Sequence, residues 1–195
     1  RFESRGLGDV YKRQIDYGPL ARLAGMWKGD TGTDIAPEPE GIENNPYYET
    51  IVFSACGDVT NAETQNLAIL HYRQIVKRKS NNEVFHDQVG YWLWDAQENM
   101  VMHSFTIPRA VAIVAGGIFN GDAGAETITL QLSASCDNAD FGIAQSPFMR
   151  DNAKTTAFSQ SLELTSDTMK YSQTTIVDIY GKTFDHTDSN RLKKV

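Results

Sequence analysis

Hydrophobic and polar residues alternate with a period of two along most of this chain. Seven segments rich in Val, Ile, Thr, Tyr and Phe show the pattern, each bounded by Gly, Asn, Asp or Ser clusters. They are YYETIVFSACG, NLAILHYRQIVKR, EVFHDQVGYWLW, MVMHSFTIPRAVAIVAGG, ETITLQLSAS, TAFSQSLEL and MKYSQTTIVDIYG. Stretches such as DAQEN, NGDAGA and TSDT are typical of turns between successive strands. So many strands with almost no helical period predict an all-β fold, an antiparallel barrel or a sandwich.

Three other segments depart from this pattern. YGPLARLAG predicts one short N-terminal helix, with Pro19 near its start, Leu20 and Leu23 on one face and Gly25 after its end. DIAPEPEGIENNP, residues 34–46, contains three prolines and predicts a long loop of the kind that forms a cavity rim. The tail FDHTDSNRLKKV is compatible with a short helix or a last partial strand.

Strand alternation assigns two faces to the segment VFHDQVGYWLW, residues 84–94. One face carries Val84, His86, Gln88, Gly90, Trp92 and Trp94, and the other carries Phe85, Asp87, Val89, Tyr91 and Leu93. Gly90 is expected to open space beside His86 and Gln88, which suits a strand that lines a ligand cavity. A strand with two mixed surface faces would show the same alternation.

The charge of the chain limits its partners. The formal net charge is −7, and the first fourteen residues carry four basic and two acidic side chains, so the rest carries about −9. We expect no nucleic-acid partner, because phosphate binding requires a basic patch. We expect no membrane association either, because no apolar run approaches the roughly 20 residues that span a bilayer. Cys56 and Cys136 are too far apart for a metal-binding pair, and a cytoplasmic location is expected.

The first fourteen residues, RFESRGLGDVYKRQ, do not fit the rest of the chain. Their end, DVYKRQ, resembles the translation of a transposon end used in sequencing libraries. We therefore interpret residues 1–14 as an artefact and residues 15–195 as one domain of ordinary size.

The sequence contains no GxSxG, HExxH or phosphate-binding glycine loop, so the four histidines are the main candidates for chemistry. His71 and His103 are expected to face solvent or a hydrogen-bond partner. His86, on the candidate cavity face, and His186, between two aspartates, are the candidate ligands of a metal or haem iron. Either could equally be an ordinary surface histidine.

Several motifs in order along residues 18–195 resemble the nitrobindin-like, haem-binding β-barrel family, also described as fatty-acid-binding-protein-like. They are LAGMWKGDTGTD, PYYETIVF, FHDQVGYWLWD, FTIPRAVAIVAGG and MKYSQTTIVDIYGKTFDHTDSNRLKKV. The chain departs from shorter members where TDSN separates the tail histidine from RLKKV, and where the loop at 34–46 is longer.

The resemblance implies a ten-stranded antiparallel up-and-down barrel that holds haem b in an open mouth. By the same resemblance His186 is the iron ligand, and His86 lies near the haem without binding iron. Thr106 and Pro108 are implied to lie on the strand that lines the pocket.

The resemblance also implies an activity on nitrogen oxides, either isomerisation of peroxynitrite to nitrate at ferric haem or binding of nitric oxide. The alternative is a carrier of a fatty acid or another lipophilic small molecule, which would need arginines such as Arg73 or Arg109 to hold a carboxylate. A ligand-free barrel with an interaction role is a third possibility. A monomer and a homodimer are both compatible with the sequence.

Overall fold

The structure is a computed structural model that describes residues 15–195, so the interpretation of residues 1–14 lies outside the described residues. Within 15–195 the chain forms eleven strands, one 3-10 helix (Gly18–Arg22) and one short α-helix, α1 (Pro147–Asn152). The strands are β1 (Gly25–Glu38), β2 (Gly41–Ala62), β3 (Gln65–Arg78), β4 (Val84–Asp95), β5 (Met100–Ile107), β6 (Val111–Ile118), β7 (Ile128–Ser135), β8 (Ile143–Gln145), β9 (Ala153–Leu164), β10 (Thr168–Ile179) and β11 (Lys182–Lys194).

Ten of these strands close into an antiparallel barrel. Strands β1 to β6 lie side by side in chain order, β7, β9, β10 and β11 follow, and β11 pairs with β1. The weakest seam lies between β6 and β7, where Gly116 opposite Ser133 is the only pair within the described residues. The additional strand β8 pairs with β6 beside this seam. The predicted ten-stranded up-and-down barrel is therefore confirmed.

Side-chain alternation fills the barrel. In β7, the residues Ile128, Leu130, Leu132 and Ala134 are buried while the residues between them face outward. Burying an isoleucine or leucine side chain contributes roughly 1.5–3 kcal/mol. The same alternation repeated around the barrel gives one continuous core.

The 3-10 helix closes one end of the barrel, where the sequence predicts a short helix. Leu20 and Leu23 are fully buried, and the carbonyl oxygen of Leu23 accepts a 2.7 Å hydrogen bond from Nε1 of Trp27. The guanidinium of Arg22 donates to the carbonyl oxygens of Ala123, at 3.2 Å, and Glu126, at 2.8 Å. In residues 15–195 no helix is long and apolar enough to cross a membrane.

The prediction of a long loop over residues 34–46 is wrong. β1 and β2 extend through it as a long hairpin, with Glu38 opposite Gly41 across a two-residue turn. Two of its prolines sit where a strand has an unpaired edge, which is where a strand tolerates a missing N–H. Pro37 lies beyond the last pair of β1 with β11, and Pro46 lies beyond the last pair of β2 with β3. The tail, for its part, forms the full-length strand β11.

The assignment of faces in β4 is correct from Gln88 to Trp94, all four inward positions being buried. It fails at the start of the strand, because the register shifts between β3 and β4 and a bulge forms at Phe85. Val84 is consequently exposed. Gly90 does not open space as expected, since a Cβ there would lie 2.1 Å from the carbonyl oxygen of Ser104, so this glycine lets β4 and β5 approach closely.

Candidate functional site

A cavity of about 550 Å³ opens at the barrel end opposite the 3-10 helix. Its volume lies in the range of roughly 300–1,000 Å³ that is usual for small-molecule sites. Its walls are mainly apolar, formed by Val76, Phe85, Phe105, Ile107, Val111, Ile113, Phe158, Val177 and Ile179. Its polar side chains include Asp34, Asn45, Arg78, His86, Gln88, Arg109, Gln173, His186 and Asp188.

His186 lies in this cavity on β11, where it pairs across the ladder with Thr175 of β10. Its Nε2 lies 2.5 Å from Oδ1 of Asp34, which is on β1 and almost fully buried. Burial alone would lower the pKa of His186, but the hydrogen bond and charge of Asp34 outweigh it and the pKa is raised. Asp34 therefore stabilises the protonated form of the His186 imidazole.

Asp34 is itself fixed by a chain of hydrogen bonds to the rim. Nδ2 of Asn45 donates to Oδ2 of Asp34 at 3.1 Å, and Nε of Arg78 donates to Oδ1 of Asn45 at 3.2 Å. The guanidinium of Arg78 also lies over the ring of Phe85, 4.6 Å from its centroid. A carboxylate held in this way orients an imidazole and makes it more basic, which is the arrangement found behind metal-binding histidines.

His86 also lines the cavity, from the bulged start of β4. Its Nε2 is 3.1 Å from Oε1 of Gln88. Burial is the main influence on its pKa, which is lowered although Gln88 and Asp34 act in the opposite direction. His86 is therefore harder to protonate than His186, the other imidazole of the cavity.

Thr106 and Pro108, which the resemblance placed on the pocket strand, do not line the cavity. Both are exposed, and the neighbouring residues Phe105 and Ile107 face inward instead. In a β-strand an error of one residue moves a side chain to the opposite face, which explains this correction. Arg109 lines the mouth, whereas Arg73 pairs with Asp87 on the outside of the barrel.

A hydrogen-bonded chain runs inside the barrel from His86 to Asp188. In order it joins His86, Gln88, Tyr72, His103, Gln160, Gln173 and Asp188. His103 is a core residue, where the sequence suggested only a solvent-facing or hydrogen-bonded one. Burial lowers its pKa to about 3, against the effect of Gln160, so it is neutral.

A second buried polar group surrounds Glu49. Its carboxyl accepts from Nε2 of Gln74 at 2.5 Å and from Nδ2 of Asn190 at 2.6 Å, and the hydroxyl of Tyr171 is 3.1 Å away. Burial raises the pKa of Glu49 to about 8. The Tyr171 and Tyr47 hydroxyl oxygens are 2.7 Å apart, and Tyr47 donates its one proton to Asp188.

The hydroxyl of Tyr171 donates to the carboxyl group of Glu49, with both carboxyl oxygens 3.1 Å away. Glu49 therefore accepts from Asn190, Gln74 and Tyr171, and burial raises its pKa although these three hydrogen bonds act in the opposite direction.

The comparisons with known proteins agree with this architecture. The model of the THAP4-like, heme-binding beta-barrel domain family matches residues 16–194. The chain belongs to this family. The predicted resemblance to haem-binding barrels is thus confirmed, and so, at the level of the family, is the predicted haem cofactor.

A solved structure shares the fold of this family member. The crystal structure of Rv2717c from M. tuberculosis is similar over 90% of this chain and 94% of that chain, with a TM-score of 0.67 and 22% sequence identity. At this level of identity the similarity shows the shared fold. No curated protein matches the chain significantly.

The cavity of this family member fits a haem in three respects. It has apolar walls for a porphyrin, an imidazole in His186 for the iron, and two arginines, Arg78 and Arg109, at the mouth for carboxylates. Among the described residues, Nδ1 of His186 has no hydrogen-bond partner, so this nitrogen is open to a ligand while Nε2 contacts Asp34.

Two of the polar residues escaped the sequence analysis for different reasons. Asp34 contacts a histidine 152 positions away, and no local pattern indicates that. Glu49 was detectable, because it shares a period-two face with the apolar residues Tyr47 and Ile51, and a carboxyl on such a face is predicted to be buried.

Proposed function

We propose that this protein binds haem b in the cavity, with His186 as the iron ligand, and acts on nitrogen oxides. The reaction is isomerisation of peroxynitrite to nitrate, with reversible binding of nitric oxide at the same site. The observation that carries this proposal is the pair formed by His186 and the buried Asp34 inside a cavity whose walls are mainly apolar. Membership of a haem-binding domain family supports it.

When bound, the haem supplies an electrophilic iron for the oxygen atoms of a small anion or for nitric oxide. The chain contributes the other elements. His186 is held by Asp34, the aromatic and aliphatic walls exclude water, and the neutral His86 with Gln88 offers polar groups to a small ligand. The mouth carries both positive and negative side chains, because Arg78 lies near Glu43. An anion can therefore approach the cavity without binding tightly at the mouth.

Titration of hemin followed by absorbance tests this proposal. We expect wild-type protein to bind hemin with a Soret band typical of a histidine ligand, and His186→Ala to lose that band or bind far more weakly. Free imidazole should partly restore the band. His71→Ala is the matched control, since His71 lies on the outer face of the barrel against Tyr91. Equal affinity and an identical Soret band in His186→Ala would rule out His186 as the ligand.

The second candidate function is transport of a fatty acid or another lipophilic carboxylate. Its support is the rim, where Arg78 and Arg109 lie near exposed apolar side chains such as Phe148 and Tyr180. A fluorescent fatty acid that binds wild-type protein, and is not displaced by hemin, would favour this function. Displacement of the fatty acid by hemin would place both ligands in one cavity and favour haem.

A further inference from the structure

Asp188 determines which atoms donate and which accept along the hydrogen-bonded chain that runs from His86 to Asp188. Oδ2 of Asp188 can only accept, so Gln173 presents its amide nitrogen there, at 3.4 Å. The amide oxygen of Gln173 then accepts from Nε2 of Gln160 at 3.2 Å, and the amide oxygen of Gln160 faces Nδ1 of His103 at 3.1 Å. Nδ1 of His103 must therefore carry the proton.

The remaining ring nitrogen of His103 is consequently a lone-pair acceptor. Nε2 lies 2.6 Å from the hydroxyl oxygen of Tyr72, so the Tyr72 hydroxyl donates to it. The same hydroxyl oxygen accepts from Nε2 of Gln88 at 2.5 Å. The Tyr72 hydroxyl thus donates its proton to a base, His103, while its oxygen accepts a separate hydrogen bond from Gln88.

Both residues are sealed from solvent, with 2% of Tyr72 and 1% of His103 exposed. The ring of His103 is stacked between Trp92, at 4.3 Å, and Phe105, at 4.4 Å between centroids. Phe105 and Gln88 also line the cavity. A buried phenol needs a base to accept its proton when it is oxidised. Tyr72 differs from the buried Tyr47 and Tyr171, which donate to carboxyl groups, because its acceptor is an imidazole.

We propose that Tyr72 and His103 form a built-in one-electron donor for the cavity. The pair supplies electrons, one at a time, to the oxidant that a hydroperoxide generates there. This inference rests on the proposed haem function, because haem is the group that would react with the peroxide. It adds a residue pair with a role separate from holding the haem.

In each step Tyr72 gives one electron to the oxidant in the cavity and its hydroxyl proton to Nε2 of His103. The products are a neutral tyrosyl radical, an imidazolium and an oxidant reduced by one electron. Nε2–H of His103 and the amide of Gln88 then both donate to the radical oxygen. A soluble reductant of the ascorbate class returns one electron, and the proton goes back to Tyr72. Two such cycles with two solvent protons convert one hydrogen peroxide to two waters.

The test is electron paramagnetic resonance on protein loaded with haem, treated with hydrogen peroxide and frozen. We expect a tyrosyl signal in wild type, loss of that signal in Tyr72→Phe, and retention in Tyr91→Phe. Tyr91 is the matched control because it also faces a histidine, His71, but on the exposed face and without a hydrogen bond. A signal that survives in Tyr72→Phe and disappears in Tyr91→Phe would overturn the proposal.

A second arm separates this inference from haem binding. Protein without haem is oxidised by photogenerated tris(bipyridine)ruthenium(III) and frozen after seconds, when radicals on exposed tyrosines have decayed. We expect a persistent tyrosyl radical that is absent from Tyr72→Phe. Its absence from wild type would overturn the proposal even if haem binds. A radical in this arm together with none in peroxide-treated, haem-loaded protein would overturn the role of Tyr72 as donor to the cavity.

One measurement needs no variant and covers the case in which Tyr72→Phe does not fold. In wild type, electron–nuclear double resonance should detect a strongly coupled proton at the radical oxygen that is lost after refolding in D2O. Ring-deuterated tyrosine should narrow the same signal. A radical without an exchangeable coupled proton would contradict the role of His103.

Discussion

The half-buried His186 and the buried Asp34 form a pair, with Nε2 of the imidazole 2.5 Å from a carboxylate oxygen. The two residues are far apart in the sequence and meet because β11 closes the barrel against β1, where Asp34 lies opposite Asp188. Two outcomes are possible when iron enters. Asp34 either stays and orients the ring, leaving Nδ1 for the iron, or it competes with the iron for Nε2.

The substitution Asp34→Asn distinguishes these outcomes, because they predict changes of hemin affinity in opposite directions. If Asp34 orients His186, we expect hemin affinity to fall by roughly 10- to 100-fold, as is usual when the partner of a metal-binding histidine is lost. The ferric–ferrous reduction potential should also rise, because a less basic imidazole stabilises ferric iron less. Affinity is measured by absorbance titration and the potential by spectroelectrochemistry. Tighter hemin binding in Asp34→Asn would show that Asp34 competes with the iron.

A second prediction concerns His86, which should lie near the haem without binding iron. We expect His86→Leu to retain haem and the Soret band of a histidine-ligated iron. The rate of nitric oxide binding to the loaded protein should change, since a neutral polar group that bonds to Gln88 is replaced by an apolar one. Stopped-flow absorbance measures this rate. Complete loss of haem from folded His86→Leu would mean that the roles of the two histidines are reversed.

Strand β4, which carries His86, shows how much of the site could be predicted from the sequence. Alternation along β4 correctly placed Gln88 and Trp92 inside the barrel, because every second residue of a barrel strand faces the core. It could not predict the bulge at Phe85, which depends on the register with β3. Thr106 and Pro108 were assigned to the pocket strand by resemblance, which does not say on which face of the strand a side chain lies. Both are exposed, and their neighbours Phe105 and Ile107 line the cavity instead.

The polar interior was less predictable than the fold for a related reason. Period-two patterns report which residues are buried, but a pair such as Tyr72 and His103 depends on strands that are separated in sequence and joined through β4. The position of His186 came from the resemblance of the tail to a family motif. Its carboxylate partner required the three-dimensional register of β1 and β11.

A third prediction separates stability from ligand binding. Leu20 is fully buried at the closed end of the barrel, remote from the cavity. We expect Leu20→Ala to lower the free energy of unfolding by roughly 2–5 kcal/mol, the usual cost of such a truncation. Hemin affinity, measured at a temperature where the variant is folded, should be unchanged. A large loss of affinity would show that the closed end is coupled to the cavity.

The last prediction concerns Glu49, whose pKa burial raises to about 8 from an ordinary value of 4.5. Below pH 4.5 the carboxyl is protonated in both the folded and the unfolded chain. Between pH 4.5 and 8 only the folded chain keeps the proton, so stability is lost at about 1.4 kcal/mol per pH unit. His103 acts in the opposite sense, since its pKa of about 3 in the folded chain is below the ordinary 6.5, and its contribution is lost as the pH falls.

The contributions of Glu49 and His103 oppose each other between pH 4.5 and 6.5. Above pH 6.5 Glu49 and His186, whose pKa Asp34 raises against the effect of burial, both lose stabilisation as the pH rises, and the comparison with Glu49→Gln isolates the part due to Glu49. Asp188, whose pKa burial raises to about 6, has titrated by then. We therefore expect the free energy of unfolding, measured by urea denaturation, to fall from pH 6.5 to 8 in wild type and to fall much less in Glu49→Gln. The comparison is between two pH values, so a uniform loss of stability from the new amide does not affect it. Glu163→Gln is the control, because Glu163 is exposed and paired with Lys170 on the outside of the barrel. An equal fall in wild type and Glu49→Gln would mean that Glu49 is ionised in the folded protein across this pH range.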